Sequence, residues 1–453
     1  MSCPERGPLE EEVLRELRPT KLQLAVLNRL YHEIRSRLEK GIRGEGLSAV
    51  IEPEGSFAKG TMTRDHWELD IFVLFKDVDD EWIAKHSREV LERALAGLPI
   101  ILKYSEHPYV TVSLLGIEAD VVPAIYLEEP PKRFAGVSRT PFHTRFVSAH
   151  LDECMKDDVR LLKSFFRGIG VYGAEAHVGG FSGYLTELLI IYYGSFRDAL
   201  KAIASWRPPV FIDLTGRANR NELLRRYGDS PLIFVDPVDI SRNAAASVTQ
   251  DKMAVASVAA KLYLANPRKE FFNIFSSSRQ LRLAIPVVLV VCRGDFTKAP
   301  PGDVWGRLAR ASRSLESELS KYGFRVLRRS VFTDTSSITA IGLLVQDLVI
   351  SNLEVVAGPE AWANEKAVLS FLSDRDRDVW FNGHSLMAVK RRKFTRIDDI
   401  TRQLIEGLPL PAGTSSCDVL TYDDVRMAAL SGGVLQDWIA KELGSIPAWL
   451  STA

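Results

Sequence analysis

The chain has 453 residues, of which 46% are hydrophobic, and it carries 58 Lys and Arg against 58 Asp and Glu. This composition is typical of a globular protein of roughly three domains at about 150 residues each, and it excludes a mainly disordered chain. The zero net charge provides no global positive field of the kind that marks many nucleic-acid-binding proteins. RNA binding is still compatible with it, because a basic face can be balanced by an acidic face elsewhere.

The four cysteines, Cys3, Cys154, Cys292 and Cys417, lie far apart and form no Cys-x-x-Cys pair. Their spacing argues against a thiolate zinc site and against a disulfide framework, and it suits a reducing cytoplasm. The N-terminal segment lacks the apolar core of a signal peptide. The most apolar runs, at 185–193 and 283–292, are about half as long as a bilayer requires. The sequence therefore predicts a soluble, cytoplasmic protein.

The N-terminal third mixes helix and strand patterns and is predicted to form an α+β unit. Apolar residues recur every four positions from Leu22 to Leu38, which predicts an amphipathic helix that ends near Gly41. An extended run at 47–51 and a turn-like stretch at 52–56 follow. Further along, the pattern predicts a strand at 68–75, a helix at about 81–95 and strands at 99–104, 109–115 and 117–126.

The rest of the chain changes character twice. From residue 157 to about 261 the pattern is mainly helical, with apolar stripes such as the one that includes Leu185, Leu188 and Leu189. Beyond that, strands alternate with helices. The predicted strands are 285–291, 337–344, 349–355 and 386–389, and the predicted helices are 304–321, 362–372 and 397–406.

The most informative motif joins a Gly-Ser pair to two acids. Gly55-Ser56 is followed, after eleven residues, by Glu68-Leu69-Asp70-Ile71. On a strand, Glu68 and Asp70 would project from one face while the two apolar residues enter the core. Two such carboxylates repel unless a cation neutralises them, and Mg²⁺ prefers hard oxygen ligands together with substrate phosphates. The upstream Gly-Ser turn could hold the terminal phosphates of a nucleotide.

A third acid, Asp120, lies in the otherwise apolar segment 116–123. Three carboxylates can hold two metal ions, which is the arrangement that phosphoryl transfer uses. The alternative is an exposed strand edge with solvated acids, and the acid pattern alone does not exclude it.

At these residues the sequence resembles the DNA polymerase beta nucleotidyltransferase superfamily and, within it, the archaeal (class I) CCA-adding enzymes, which are tRNA nucleotidyltransferases. The C-terminal part resembles them more loosely, at 358–359, 364–365 and 392–395. The stronger segments, in the order of the family, are GSFA (55–58), ELD (68–70), EHPYV (106–110), EADVVP (118–123), RTPFH (139–143), VRLLK (159–163), VYGAE (171–175), GFSGYL (180–185), VDPVD (235–239) and RN (242–243).

The resemblance implies an activity and its metal ligands. Glu68, Asp70 and Asp120 would hold Mg²⁺ in a two-metal site. The 3′-hydroxyl of an RNA would attack the α-phosphate of CTP or ATP and release pyrophosphate. Asp120 would assist the deprotonation of that hydroxyl through the metal. The family's Glu-x-Asp pair, in place of the Asp-x-Asp of the wider superfamily, is present here.

The resemblance also implies a nucleotide site. Arg242 would help to read the base, because a guanidinium fork can satisfy the acceptor edge of cytosine and can also engage phosphate. Lys59 stands where the family commonly has Arg, which keeps the charge but loses the bidentate fork. The nucleotide-binding set is Ser56, Lys59, Lys163 and Tyr172 for the triphosphate, Thr140 and His143 near the sugar and phosphates, and His107 and Arg242 on the base side.

Taken one at a time, several of these residues have plainer interpretations. A lone lysine such as Lys163 is more often solvated, and a lone tyrosine such as Tyr172 is more often partly buried. Neither His107 nor His143 belongs to a His-x-x-x-His pair, so zinc is not indicated. Asp236 and its neighbour Asp239, on either side of a proline, are interpreted as a turn or a helix cap rather than as catalytic groups.

Local basic clusters could hold the phosphate-rich acceptor stem and 3′ end of tRNA, because A-form RNA is recognised mainly through shape and backbone. Smaller clusters lie at 217–226 and 325–329, and a solvated basic strand is the alternative interpretation. The densest cluster, which we predict to bind RNA, comprises Lys390, Arg391, Arg392, Lys393 and Arg396.

The sequence thus predicts an α+β multidomain enzyme. It would comprise a polymerase-beta-like nucleotidyltransferase palm at 1–150, a helical central domain at 151–262 that completes the nucleotide cleft, and C-terminal α+β tRNA-binding modules at 263–453. Two alternatives stay open: a poly(A) polymerase or nucleotide second-messenger synthase on the same palm, and a catalytically dead RNA-binding protein. The sequence does not decide whether the chain forms a homodimer.

Overall fold

A computed structural model describes residues 5–104, 108–114, 116–130, 136–175, 177–272, 285–373, 378–421, 435, 438–443 and 449–450. The chain divides into two compact units, residues 1–276 with 448–453 and residues 277–447. Within the described ranges, every helix is too short or too polar to cross a bilayer.

The N-terminal part of the first unit is built on a five-stranded sheet of order β1-β2-β5-β4-β3. β2 and β5 are parallel, and the other neighbouring pairs are antiparallel. The sheet and the helices packed on it bury a large apolar core, and a smaller cluster of Phe72, Leu74 and Ala124 is buried separately on the sheet. The elements are α1 (Pro8–Leu17), α2 (Lys21–Gly44), β1 (Ala49–Glu54), α3 (Gly55–Ala58), β2 (Glu68–Phe75), α4 (Asp80–Ala94), β3 (Ile100–Tyr104), β4 (Pro108–Leu114) and β5 (Ile117–Ile125).

Local sequence accounts for the start of α2. The Thr20 hydroxyl accepts a hydrogen bond from the Gln23 amide at 3.1 Å, and the Gln23 side chain accepts one from the Thr20 amide at 2.8 Å. This capping box satisfies two backbone donors that a helix start leaves free. From there Leu30, Ile34 and Leu38 enter the core below the sheet. The helix expected from the spacing of apolar residues is therefore confirmed, but its expected end near Gly41 is wrong, because the helix continues to Gly44.

A second, largely helical part completes the first unit and has its own core. Side chains of α1 join this core rather than that of the sheet: Val13, Leu14 and Leu17 are buried in it. The elements of this part are α5 (Thr140–His150), α6 (Glu153–Gly168), α7 (Gly183–Tyr193), α8 (Phe196–Ser205), β6 (Val210–Ile212), α9 (Arg220–Arg226), β7 (Leu232–Phe234) and α10 (Gln250–Ala265).

The second unit contains two antiparallel sheets, of order β14-β8-β10-β9 and β11-β13-β12. α11 and α13 cover one face of the larger sheet, and a short π-helix at Ile439–Leu443 lies on the other. The elements are β8 (Val287–Gly294), α11 (Pro301–Lys321), β9 (Val326–Thr333), β10 (Ile338–Val345), β11 (Leu353–Glu360), α12 (Glu365–Leu372), β12 (Val379–Asn382), β13 (Ser385–Arg391), α13 (Ile397–Ile405) and β14 (Thr414–Leu420).

The prediction that the cysteines form no disulfide framework is wrong, because Cys154, Cys292 and Cys417 are all disulfide-bonded. Cys292 on β8 and Cys417 on β14 are register partners in the antiparallel pair, and a disulfide joins them. They are 125 residues apart in the sequence, but their Cα atoms are 4.0 Å apart. Sequence distance was a poor guide here, because β14 returns to the sheet edge beside β8.

Breaking this bridge should destabilise the second unit. A cross-link that closes a long loop limits the unfolded chain and typically adds about 2–4 kcal/mol to the free energy of unfolding. We therefore expect the Cys292→Ala/Cys417→Ala variant to lose stability by that amount in urea unfolding under non-reducing conditions. Each single Ala variant should lose nearly as much as the double variant, because either change removes the same bond. Additive losses in the two single variants would contradict the bridge.

Candidate active site

The three predicted catalytic acids lie on the two parallel strands at the centre of the first sheet. Glu68 and Asp70 are on β2, Asp120 is on β5, and Asp70 and Asp120 are register partners. Between the two acids of β2, Leu69 enters the core, as the alternation predicted. Burial, followed by the charges of Glu68 and Asp120, raises the pKa of Asp70 to about 6. The charges of Glu68 and Asp120 therefore add to the effect of burial in disfavouring the ionised form of Asp70.

A glycine makes room for the Asp70 carboxylate. Gly55 follows β1 with φ of +65°, and a Cβ at this position would overlap Asp70 Oδ2. Only glycine combines that backbone conformation with that close approach. The predicted turn at 52–56 is wrong in part, because β1 continues through Glu54 and the chain turns only at Gly55. Glu54, opposite Asp70, is buried, and burial raises its pKa to about 7.

The other two acids have protein partners. Asp120 Oδ1 accepts a hydrogen bond from the Thr111 hydroxyl at 2.6 Å. Glu68, whose side chain is 60% exposed, lies 3.0 Å from His66 Nε2. As these side chains stand, no three His, Cys, Asp or Glu residues of the described chain are grouped closely enough to hold a metal ion.

A cavity of about 390 Å³ lies beside Glu68 and Asp70. Of the predicted residues that the structure describes, Asp120, Thr140, His143 and Arg242 are outside its wall. His107 lies outside the described residues. The predicted residues in the wall are Ser56, Lys59, Glu68, Asp70, Lys163 and Tyr172, and they are joined there by Thr61, Arg167, Gly183, Tyr184 and Glu187, among others.

One buried carboxylate organises the cationic side of this cavity. Glu187 of α7 is fully buried; its Oε2 lies 2.6 Å from Lys59 Nζ and its Oε1 lies 3.1 Å from Lys163 Nζ. The Thr61 hydroxyl donates to Glu187 Oε1 at 2.6 Å. Burial alone would raise the pKa of Glu187, but the two lysines and Thr61 lower it to about 2. Burial lowers the pKa of Lys163, and Glu187 opposes that shift.

Tyr172 lies beside these lysines. The guanidinium of Arg167 is 4.8 Å from the centre of its ring. A Cβ on Gly183 would come within 2.9 Å of the Tyr172 hydroxyl, so glycine at this position leaves space for the phenol. Burial raises the pKa of Tyr172, which keeps its hydroxyl protonated as a hydrogen-bond donor.

A second cluster surrounds Asp236, and it contains two of the predicted nucleotide-binding residues. Asp236 Oδ2 lies 3.0 Å from His143 Nε2 and accepts a hydrogen bond from Arg242 Nη1 at 2.8 Å. The Tyr184 hydroxyl donates to Asp236 Oδ1 at 3.0 Å, and the rings of Tyr184 and His143 stack. Thr140 begins α5, one turn before His143. The interpretation of Asp236 as a turn residue is confirmed, because Oδ1 also accepts from the Val238 amide.

Three family models match successive parts of the chain. They are a nucleotidyltransferase domain at residues 34–143, the second domain of tRNA nucleotidyltransferase at 157–273 and the C-terminal domain of the CCA-adding enzyme at 293–416.

Full-length relatives decide the family. A CCA-adding enzyme of Aeropyrum pernix is 42% identical over 91% of this chain and 90% of its own length. Those of Saccharolobus solfataricus and Sulfurisphaera tokodaii are 38% and 36% identical over 88% and 98% of this chain, and 92% and 99% of their own. The chain belongs to the CCA-adding enzyme family. Within that family it keeps the expected fold, with a nucleotidyltransferase palm, a helical middle part and a C-terminal α+β part.

Glu187, Thr61 and Tyr184 line the cavity but were not predicted as site residues from the sequence. Of the three, Glu187 could have been recognised from the sequence, because it is the only acid in the apolar helix α7. A lone carboxylate among buried leucines needs a cationic partner. The partner that the sequence did not reveal is Lys59, 128 positions away.

The residues of the predicted RNA-binding cluster differ in whether an acidic side chain pairs with them. Lys390 Nζ and Arg392 Nη1 both approach Glu354, at 3.0 Å and 2.7 Å. Arg396 Nε lies 3.1 Å from Asp398. Arg391 is exposed at the end of β13, and Lys393 Nζ is 5.1 Å from the centre of the Phe394 ring. The last two cations therefore have the larger share of unneutralised charge.

Proposed function

We propose that this chain adds C, C and A to the 3′ end of tRNA, from CTP and ATP and without a nucleic-acid template, and that it releases pyrophosphate. The observation that carries the proposal is that the acids of β2 and two buried lysines line the same cavity. Membership of the CCA-adding enzyme family, over nearly the whole chain, supports this activity against a poly(A) polymerase or a second-messenger synthase.

The acids suit divalent metal ions. Their donors are hard carboxylate oxygens. Burial, followed by the charges of Glu68 and Asp120, raises the pKa of Asp70, which supports a site for a cation. Glu68, Asp70 and Asp120 would hold Mg²⁺. Bound in pairs, such ions lower the pKa of an attacking hydroxyl and offset charge on a leaving group.

The chain's own residues would bind and orient the nucleotide. Lys59 and Lys163 present two ammonium groups, and Ser56 and Tyr172 present two hydroxyls, to the triphosphate from the cavity wall. Thr140 and His143 of α5 would lie by the sugar and phosphates. Arg242 would read the base, and His107 is proposed for the same side from the sequence alone.

The other parts of the proposal follow from the substrate. The palm would be residues 1–150, the cleft-completing helical domain 151–262 and the tRNA-binding body 263–453. We also propose a cytoplasmic location, where tRNA is available, and leave a homodimer to measurement by light scattering.

The basic cluster near β13 should contribute unequally to tRNA binding. Arg391→Ala and Lys393→Ala should each weaken binding and reduce the salt dependence of log Kd by about one phosphate contact. Lys390→Ala and Arg392→Ala should change this salt dependence less, because Glu354 already offsets both charges. Filter binding between 50 and 200 mM salt measures these slopes. Equal slopes for all four variants would contradict the expectation that Arg391 and Lys393 contribute more to tRNA binding than Lys390 and Arg392.

The function itself is tested with purified protein, Mg²⁺ and a tRNA that lacks its 3′ end. CTP alone, ATP alone or both are supplied, and products are resolved at single-nucleotide length. Stepwise addition of C, C and then A, lost with EDTA, is the expected result. A long A tract would favour a poly(A) polymerase, and no extension would favour a catalytically dead RNA-binding protein.

A further inference from the structure

Asp236 links three elements of the nucleotide site while remaining out of contact with solvent. Its exposed fraction is 0%, and it receives hydrogen bonds from the loop after β7, from α7 and, through His143, from α5. Although burial alone would raise the pKa of Asp236, its bonds to His143, Val238 and Arg242 lower it to about 2. The carboxylate is therefore a fixed negative charge at neutral pH.

The two oxygens of this carboxylate have different partners. Oδ1 accepts from the Val238 amide and the Tyr184 hydroxyl, so it holds the turn and α7. Oδ2 meets the two groups predicted to touch the nucleotide, His143 and Arg242. A turn alone would need only Oδ1, and the second oxygen therefore has another use.

The hydrogen bond to Asp236 uses only part of the hydrogen-bonding capacity of the Arg242 side chain. A guanidinium carries five N–H donors, and the bond to Asp236 engages the Nη1 end. The side chain of Arg242 remains 38% exposed, so a ligand can reach it. An exposed arginine has many rotamers, and a buried ionic bond at one end restricts it to few of them.

We propose that Asp236 is a positioning residue that sets the direction of the Arg242 guanidinium and the His143 ring, and thereby decides which bases are accepted. This inference rests on the proposed nucleotidyl transfer. A base is distinguished by hydrogen bonds that the correct edge completes and a wrong edge leaves unpaired. That discrimination requires the donor to be fixed before the nucleotide arrives.

The Asp236→Asn variant separates the structural role of Oδ1 from the positioning role of Oδ2. The Asn oxygen can still accept from Val238 and Tyr184, whereas its NH₂ group would face the donors of Arg242 and cannot accept from them. Asp239→Asn is the matched control. It removes a charge in the same loop, from a carboxylate that accepts from Ser241 and lies 3.9 Å from Arg139 Nη1, and keeps an acceptor oxygen there.

The experiment measures kcat/KM for CTP and UTP on tRNA lacking CCA, and for ATP and GTP on tRNA ending in CC. Asp236→Asn should reduce the preference for CTP over UTP and for ATP over GTP at least tenfold, mainly through KM of the correct nucleotide. Asp239→Asn should keep the wild-type preference. In an Arg242→Ala background, Asp236→Asn should have little further effect on selectivity, because the group it directs is gone.

The outcomes separate this inference from the function on which it rests. If the wild-type protein extends no tRNA, the proposed function fails. If it extends tRNA and Asp236→Asn lowers all four kcat/KM values by one common factor, Asp236 is structural and the inference is overturned. Effects of Asp236→Asn and Arg242→Ala that simply add would overturn it as well.

Discussion

Asp70→Asn is expected to lower kcat/KM for nucleotide addition at least about a thousandfold while tRNA binding persists. A metal pair stabilises a phosphoryl-transfer transition state by several kcal/mol, and about 1.4 kcal/mol corresponds to a factor of ten in rate. Asn has nearly the shape of Asp, so it fits against Gly55, where a larger side chain would clash. It carries no charge and binds Mg²⁺ less strongly. Asp120→Asn, on the paired strand, should have a comparable effect.

Stability separates a chemical role of Asp70 from a structural one. The pKa of Asp70 is raised to about 6 in the folded protein, so its ionisation costs folding free energy, and that cost is complete above pH 6. The uncharged Asn variant should therefore be at least as stable as the wild type at pH 7 without metal. Glu81→Gln, which removes a carboxylate that is 73% exposed on α4, is the control and should retain full activity. Loss of tRNA binding or of stability in parallel with activity would contradict the assignment.

The local sequence pattern was sufficient to predict many of the helices and strands of the palm. The predicted strand 68–75 has the bounds of β2, because a run of buried residues flanked by polar turns has few alternatives. The order of the strands in the sheet was not readable. That β2 lies beside β5, with Asp70 opposite Asp120, depends on a crossover of the chain that residue spacing does not encode. The family resemblance, rather than the spacing, was what joined these acids.

Partnerships across long sequence distances account for what was missed. Cys292 and Cys417 meet through strand pairing, and Glu187 meets Lys59 where α7 approaches the palm. In each case one partner alone has an ordinary interpretation, as a buried thiol or a solvated lysine. Only the fold shows the pair. The strand expected at 349–355 forms later, as β11 at Leu353–Glu360, for a related reason: its bounds follow its pairing with β13.

Glu187→Ala is expected to lower the free energy of unfolding by about 3–5 kcal/mol, because removing one partner of a buried ionic group leaves the others without compensation. Here two largely buried ammonium groups, of Lys59 and Lys163, would remain without their carboxylate partner. Urea unfolding at pH 7 measures the loss. Glu16→Ala is the matched control: it breaks a 2.8 Å ion pair with Lys269 in which the Glu16 side chain is 61% exposed. That variant should lose less than about 1 kcal/mol.

The wild type and Glu187→Ala should differ in free energy of unfolding, and the pH dependence of that difference identifies its cause. The pKa of Glu187 is lowered to about 2 in the folded protein, so its contribution to stability is complete above its unfolded pKa of about 4.3. It is lost as the pH falls from there towards 2. The gap between wild type and Glu187→Ala should therefore be constant from pH 5 to 7 and should narrow below pH 4. A gap that stays constant down to pH 3 would indicate that Ala acts through lost packing, and a loss no larger than that of Glu16→Ala would contradict the buried ionic cluster.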